Sequence, residues 1–170
     1  MAWDDVWPPH EVQLSRSRLV DLAGVVGAYR DESRAGGVHA ALARFLAVRS
    51  CGHIEFAFDE CTAEFARHVS HPKIANHVRG GLFRGRNPRP GALADRLHAM
   101  SPEWAVEFNA YLDEDDKRVR RELGLLVDRR NNISHGQNEG LGVRKALDLS
   151  DLALEVGDWL SVRLNPRSAG

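Results

Sequence analysis

Apolar residues along this chain recur at helical intervals, and strand-like alternation is poor throughout. Leu19, Leu22, Val26 and Tyr29 follow at spacings of three and four and predict a first helix over residues 14–33, closed by Ala35-Gly36-Gly37. A long second helix is predicted over 38–69. Ala40, Ala47, Cys51, Ile54, Phe58, Cys61 and Phe65 mark one apolar stripe on it, and Leu42, Phe45 and Leu46 begin another. Two apolar faces on one helix predict a central place in a bundle. Pro72 lies just beyond its end, and RGGLFRGRNPRPG, residues 79–91, reads as a basic, irregular loop.

A short helix is predicted over 92–99. Ser101-Pro102 then supplies an N-cap and a first-position proline for a helix carrying Trp104, Phe108, Tyr111 and Leu112. The acidic run at 113–116 opens a fourth main helix through Val119, Leu123 and Leu126, where the helix dipole favours negative charge. The turn-rich stretch 136–142 ends it. Ser150 reads as the N-cap of the last helix, which carries Leu152, Val156, Trp159 and Leu160. Without internal repeats or a linker, the pattern predicts one all-α domain of about five main helices. Its helical core spans 14–163, with an arm at 1–13 and a tail at 164–170.

Composition narrows the function classes. With 170 residues, 43% of them hydrophobic and 28% charged, the chain suits a single globular domain. No apolar run approaches the length of a membrane span, and MAWDDVWPPHEVQ lacks a basic-then-apolar leader, so a cytoplasmic location is expected. Cys51 and Cys61 lie ten residues apart on one predicted helix, about 15 Å along its axis. A disulfide needs α-carbons within about 7 Å, so both are expected to be reduced. A net charge of −1 argues against a protein that coats nucleic acid nonspecifically, but leaves room for a local basic patch.

The segment richest in chemistry is Asp128-Arg129-Arg130-Asn131-Asn132-Ile133-Ser134-His135-Gly136. Arg130 continues the apolar line of Val119, Leu123 and Leu126, where a cation needs a partner, a helix end or a functional surface. His135 follows Asn131 by four residues and shares its helical face, so Asn131 can orient the imidazole or hold a phosphate oxygen. Arg130 and His135 are five apart, about 140° around an ideal helix. They converge only if the helix unwinds near Gly136, if Arg130 curls round, or if a second chain completes the site.

RNNISHG resembles the Arg-x-x-x-x-His signature of HEPN domains, with the polar residue that commonly follows the arginine present as Asn131. Arg49-Ser50-Cys51-Gly52-His53-Ile54-Glu55 resembles the second-helix motif of the RiboL-PSP-HEPN subgroup, and the helix order agrees over residues 14–163. The resemblance implies metal-independent RNA cleavage without a cofactor. It also implies a toxin–antitoxin or phage-defence setting, and a homodimer whose active sites lie at the subunit interface. Such a setting supplies an antitoxin or a neighbouring defence protein as a further partner. HEPN toxins silenced by nucleotidylation carry a tyrosine shortly after the histidine. This chain reads His135-Gly136-Gln137-Asn138 and departs from that pattern.

In the chemistry so implied, the RNA 2′-hydroxyl is the nucleophile. His135 moves the proton and Arg130 clamps the phosphoryl group, leaving a 2′,3′-cyclic phosphate. Glu55, with His53 beside it, is an auxiliary candidate facing the cleft, or else an ordinary ion-pair partner of Arg130. Arg79, Arg84, Arg86 and Arg89 are candidate contacts to the RNA backbone, with Phe83 a candidate for base stacking. A solvated connecting loop is the equal alternative. His68, His71 and His77 do not make a zinc set, because neither a carboxylate nor a cysteine completes one at ligand spacing. Trp3 and Trp7 are expected to dock on the bundle or on a partner chain. The competing class of function is a non-catalytic helical module that binds RNA or a partner protein.

Overall fold

The computed structural model describes residues 7–28, 37–137 and 140–168, which are helical apart from their connections and contain no strand. The helices are α1 (His10–Ala28), α2 (Gly37–Val69), α3 (Pro72–Gly80), α4 (Pro90–His98), α5 (Pro102–Ser134) and α6 (Val143–Arg163), followed by a 3₁₀ turn, Pro166–Ser168. The all-α class expected from the periodicity is therefore observed. Among the described residues, no helix is long and apolar enough to cross a membrane.

α2 is the central element, packing against α6 along much of its length and also against α1, α3 and α5. Its predicted stripe is buried at Ala47, Cys51, Ile54, Phe58 and Cys61, while Phe65 packs edge-on against Trp104 at 5.2 Å. Of the second predicted face, Leu46 is buried but Phe45 is 52% exposed, so that face is narrower than the pattern implied. The α2–α6 crossing is close at Gly157, where a Cβ would lie 2.9 Å from Nε2 of His53. Only glycine allows that approach without displacing the ring. Both cysteines are buried and free.

Four element boundaries differ from the sequence expectation. α1 begins at His10, directly after Pro8-Pro9, so part of the expected arm is helical; its expected end near residue 33 lies outside the described residues. Trp7 docks on the bundle by donating its indole N–H to the Ser161 carbonyl at 2.7 Å, while Trp3 lies outside the described residues. α3 replaces part of the expected connection. Pro72 starts this helix instead of merely following α2, and the N-cap His71 accepts from the Lys73 amide through Nδ1 at 3.3 Å.

α4 likewise begins at a proline, Pro90, two residues before the expected start. α6 begins at Val143, seven residues before Ser150, which is fully buried inside the helix. Val143, Ala146 and Leu149 carry the α6 stripe back toward the turn. Of the expected tail, Leu164 is buried and the 3₁₀ turn packs on α2. The acidic run does mark a break, because the backbone of α5 is non-helical from Glu114 to Lys117.

Candidate active site

The C-terminal half of α5 is anchored by Val119, Leu123, Leu126 and Val127, all buried. One turn further on, Arg130 leaves the core and meets two other elements. Its Nη1 donates to Asn87 Oδ1 at 2.8 Å and to Asn131 Oδ1 at 3.3 Å, and its Nη2 lies 3.8 Å from Glu55 Oε1 on α2. The ion pair is partly shielded, with the arginine side chain 28% exposed and the glutamate 15%. Burial pushes the Glu55 carboxyl above the usual range, and Arg130 pulls it back down. Glu55 is thus the ion-pair partner of Arg130, the second of its two expected roles.

Cys51 and Asp59 flank Glu55 on the same face of α2, one turn to either side. The Cys51 thiol lies 3.9 Å from Glu55 Oε1, and burial raises its pKa to about 12, so it remains a thiol. Asp59 is buried. It pairs with Arg96 of α4 and accepts the Phe83 amide at 2.9 Å. The Arg96 guanidinium also sits 3.9 Å over the Phe58 ring. These contacts fasten the segment between α3 and α4 across α2.

That segment accounts for the expected basic contacts. Arg79 lies 3.8 Å from Glu60 and 5.1 Å over the Phe83 ring, Arg84 donates to the Gly80 carbonyl at 2.9 Å, and Arg89 pairs with Asp128 at 2.5 Å. Arg86 is exposed. Three of the four arginines therefore already have partners within the chain. The Arg89–Asp128 pair and the Asn87–Arg130 bond hold the segment against the end of α5.

His135 occupies the C-cap of α5, exposed, and its imidazole has no hydrogen-bond or ion-pair partner among the described residues. The helix end is closed by Gly136, φ +73°, with Gly136 N–H on the Ile133 carbonyl at 3.1 Å and Gln137 N–H on the Asn132 carbonyl at 3.0 Å. This is the paired-bond termination that a left-handed glycine permits. Helical backbone persists through Ser134, so unwinding does not bring His135 round to Arg130. Asn131 turns its carbonyl to Arg130 rather than toward the imidazole.

His53 corrects a further expectation. It is buried against α1 and α6, its Nδ1 2.9 Å from Ser15 Oγ, and so does not share a cleft with Glu55. Two residues on a helix are about 200° apart, which places them on nearly opposite faces. Asn87, in contrast, belongs to the Arg130 cluster and was missed. Nothing in a glycine- and proline-rich loop singles out one asparagine. The Cys51–Glu55–Asp59 row was visible in the four-residue spacing.

Among the described residues, no three His, Cys, Asp or Glu side chains gather as a metal site. His68 lies 2.9 Å from Glu64 Oε1, His71 caps α3 and His77 is exposed. Comparison with family models, with curated proteins and with solved structures finds no match.

Proposed function

We propose that the chain is a HEPN-type, metal-independent endoribonuclease of a toxin–antitoxin or phage-defence system, acting in the cytosol as a homodimer. The observation that carries this reading is a guanidinium oriented by Glu55 and Asn87 at a helix end, about one and a half turns from the exposed imidazole of the C-cap residue His135. Arg130 supplies a rigid cationic fork for a phosphoryl group. His135, open to solvent, supplies proton transfer. Because the helix keeps the two on different sides, the complete site takes His135 and Arg130 from facing copies.

RNA provides its own nucleophile in this mechanism. His135 removes the 2′-hydroxyl proton while Arg130 stabilises charge on the phosphoryl oxygens. The 2′-oxygen bonds to phosphorus, the bond to the 5′-oxygen breaks, and that oxygen takes a proton from the partner copy's imidazole. The products are a 2′,3′-cyclic phosphate and a 5′-hydroxyl end. DNA is not a substrate.

A second reading rests on the same contacts. Arg130 already binds Glu55, Asn87 and Asn131, as a purely structural arginine would, and the chain is then a helical module that binds RNA or a neighbouring defence protein. The deciding experiment incubates a cellular RNA pool with wild type, Arg130→Ala and His135→Ala in excess chelator. Cleavage by wild type alone, with cyclic-phosphate ends, supports the nuclease. A folded wild type that leaves RNA intact, or variants that cut equally well, overturns it in favour of the module.

A further inference from the structure

A depression of about 290 Å³ lies between α1 and α2, lined by Glu11, Ser15 and Arg18 from one helix and Arg49, Gly52, His53 and Phe56 from the other. It is separate from the Arg130 cluster. Its lining obeys helical spacing on both sides, since 11, 15 and 18 form one face of α1 and 49, 52, 53 and 56 one face of α2. The helices run antiparallel here. Ser15 meets His53, and Glu60, whose carboxyl is raised chiefly by burial, also feels the charge of Glu11. Arg18 and Arg49 therefore occupy one end of the depression, and Glu11 and Phe56 the other.

Arg18 and Arg49 are both exposed, and neither is paired with a carboxylate among the described residues. Arg84, Arg86 and Arg144 likewise pair with no carboxylate among the described residues, but only Arg18 and Arg49 stand together at one depression. The neighbouring depression of about 500 Å³ illustrates the contrast, because its Arg16 is held by Asp158 at 2.9 Å. The floor is polar but uncharged. His53 is 3% exposed, and burial lowers its pKa to about 4.

Gly52 lines the depression from α2. It sits in the middle of α2, has no positive φ, and a Cβ built on it would meet nothing within 4 Å. Glycine within a helix weakens it, and neither backbone conformation nor a close neighbour requires one here. The same holds for Gly24 in α1 and Gly124 in α5; Gly52 differs from them in lining a depression.

The structure assigns this depression to a phosphorylated nucleoside, its phosphate between Arg18 and Arg49, its base on Phe56 and its ribose hydroxyls toward Glu11. Seven residues of helix separate Arg18 from Glu11 and Arg49 from Phe56, about 10 Å along each axis, which is the reach of a nucleoside monophosphate from phosphate to base. Paired guanidiniums suit a phosphate dianion, and Ser15 Oγ adds a hydroxyl at the wall. The volume stands at the small end of ligand sites. The source is a free nucleotide or one unit of an RNA strand, and the site does not depend on the cleavage assigned above.

Calorimetric titration of the full chain with adenosine 5′-monophosphate, inorganic phosphate, adenosine and a six-residue single-stranded RNA, 2′-O-methylated so that it cannot be cleaved through the 2′-hydroxyl, tests the assignment. The monophosphate or the RNA binds, and binds more tightly than phosphate or adenosine alone. Arg18→Ala and Arg49→Ala each weaken binding by about tenfold or more, whereas Arg144→Ala, at an exposed position on α6, leaves it unchanged. Gly52→Leu fills the depression while improving helix propensity, so it abolishes binding with no loss of thermal stability. RNA binding alone, with this dependence, identifies a strand subsite; monophosphate binding identifies a nucleotide site. No binding of any probe at millimolar concentration, or binding that survives Gly52→Leu and both arginine variants, overturns the assignment.

Discussion

Gly136 shows how one residue sets the geometry of the candidate active site. Its φ of +73° lets α5 end with two closing hydrogen bonds and leaves His135 outside the helix, exposed. An L-residue in that conformation costs about 1–2 kcal/mol. Gly136→Ala is therefore expected to lower stability by about 1 kcal/mol, a fall of a few degrees in melting temperature for a domain of this size. An unchanged melting temperature would show that the helix ends some other way. Ser150 makes the complementary case. Its hydroxyl is buried inside α6 with no hydrogen-bond partner among the described residues. Ser150→Ala is expected to be neutral or to stabilise by about 1 kcal/mol, while a loss of similar size in denaturant unfolding would restore Ser150 as a helix cap.

At the scale of elements, the break in α5 carries the most local strain. Asp115, Asp116 and Lys117 take φ of 48°, 55° and 62° in succession, bordered by Glu114 at ψ 159°. Aspartate tolerates the left-handed region better than most residues, whereas lysine gains nothing there. Lys117→Gly is expected to raise unfolding free energy by about 0.5–1 kcal/mol, and lower stability in urea would contradict the assigned backbone. The break was legible as an acidic run between two apolar stripes. Its conformation was not, because charge pattern locates an interruption without specifying dihedral angles. The missed α3 has a similar cause. Over nine residues it buries only Ala75, too little periodicity to be read as a face.

Across the whole molecule, His53 joins three helices. Ser15 comes from α1, Gly157 from α6, and the charged groups acting on the ring are Asp158, Arg16 and Arg49. Burial dominates and lowers its pKa from 6.5 to about 4. The folded state thus disfavours the protonated ring, so the unfolded chain binds the extra proton between these values. Stability is complete above pH 6.5 and is lost progressively as the pH falls toward 4, by up to about 3 kcal/mol. Urea unfolding across this window should show that slope, and His53→Gln should flatten it. A wild-type slope that persists in the variant would assign the effect to other groups.

The helical class, the central place of α2 and the reduced cysteines were all legible in the chain, since each depends on local spacing or residue type. The sequence offered Glu55 as an ion-pair partner of Arg130 only as one of two alternatives, because the two lie on different helices. Only the tertiary structure decided that Asn87 joins that pair, that the loop arginines turn inward to Asp128 and Glu60, and that His53 faces α6 instead of the Arg130 cluster. Only packing, too, aligned Arg18 with Arg49 across two antiparallel helices. Periodicity determines which residues share a face. Which faces meet depends on how whole helices bury against one another, and that information is distributed over residues far apart in the chain.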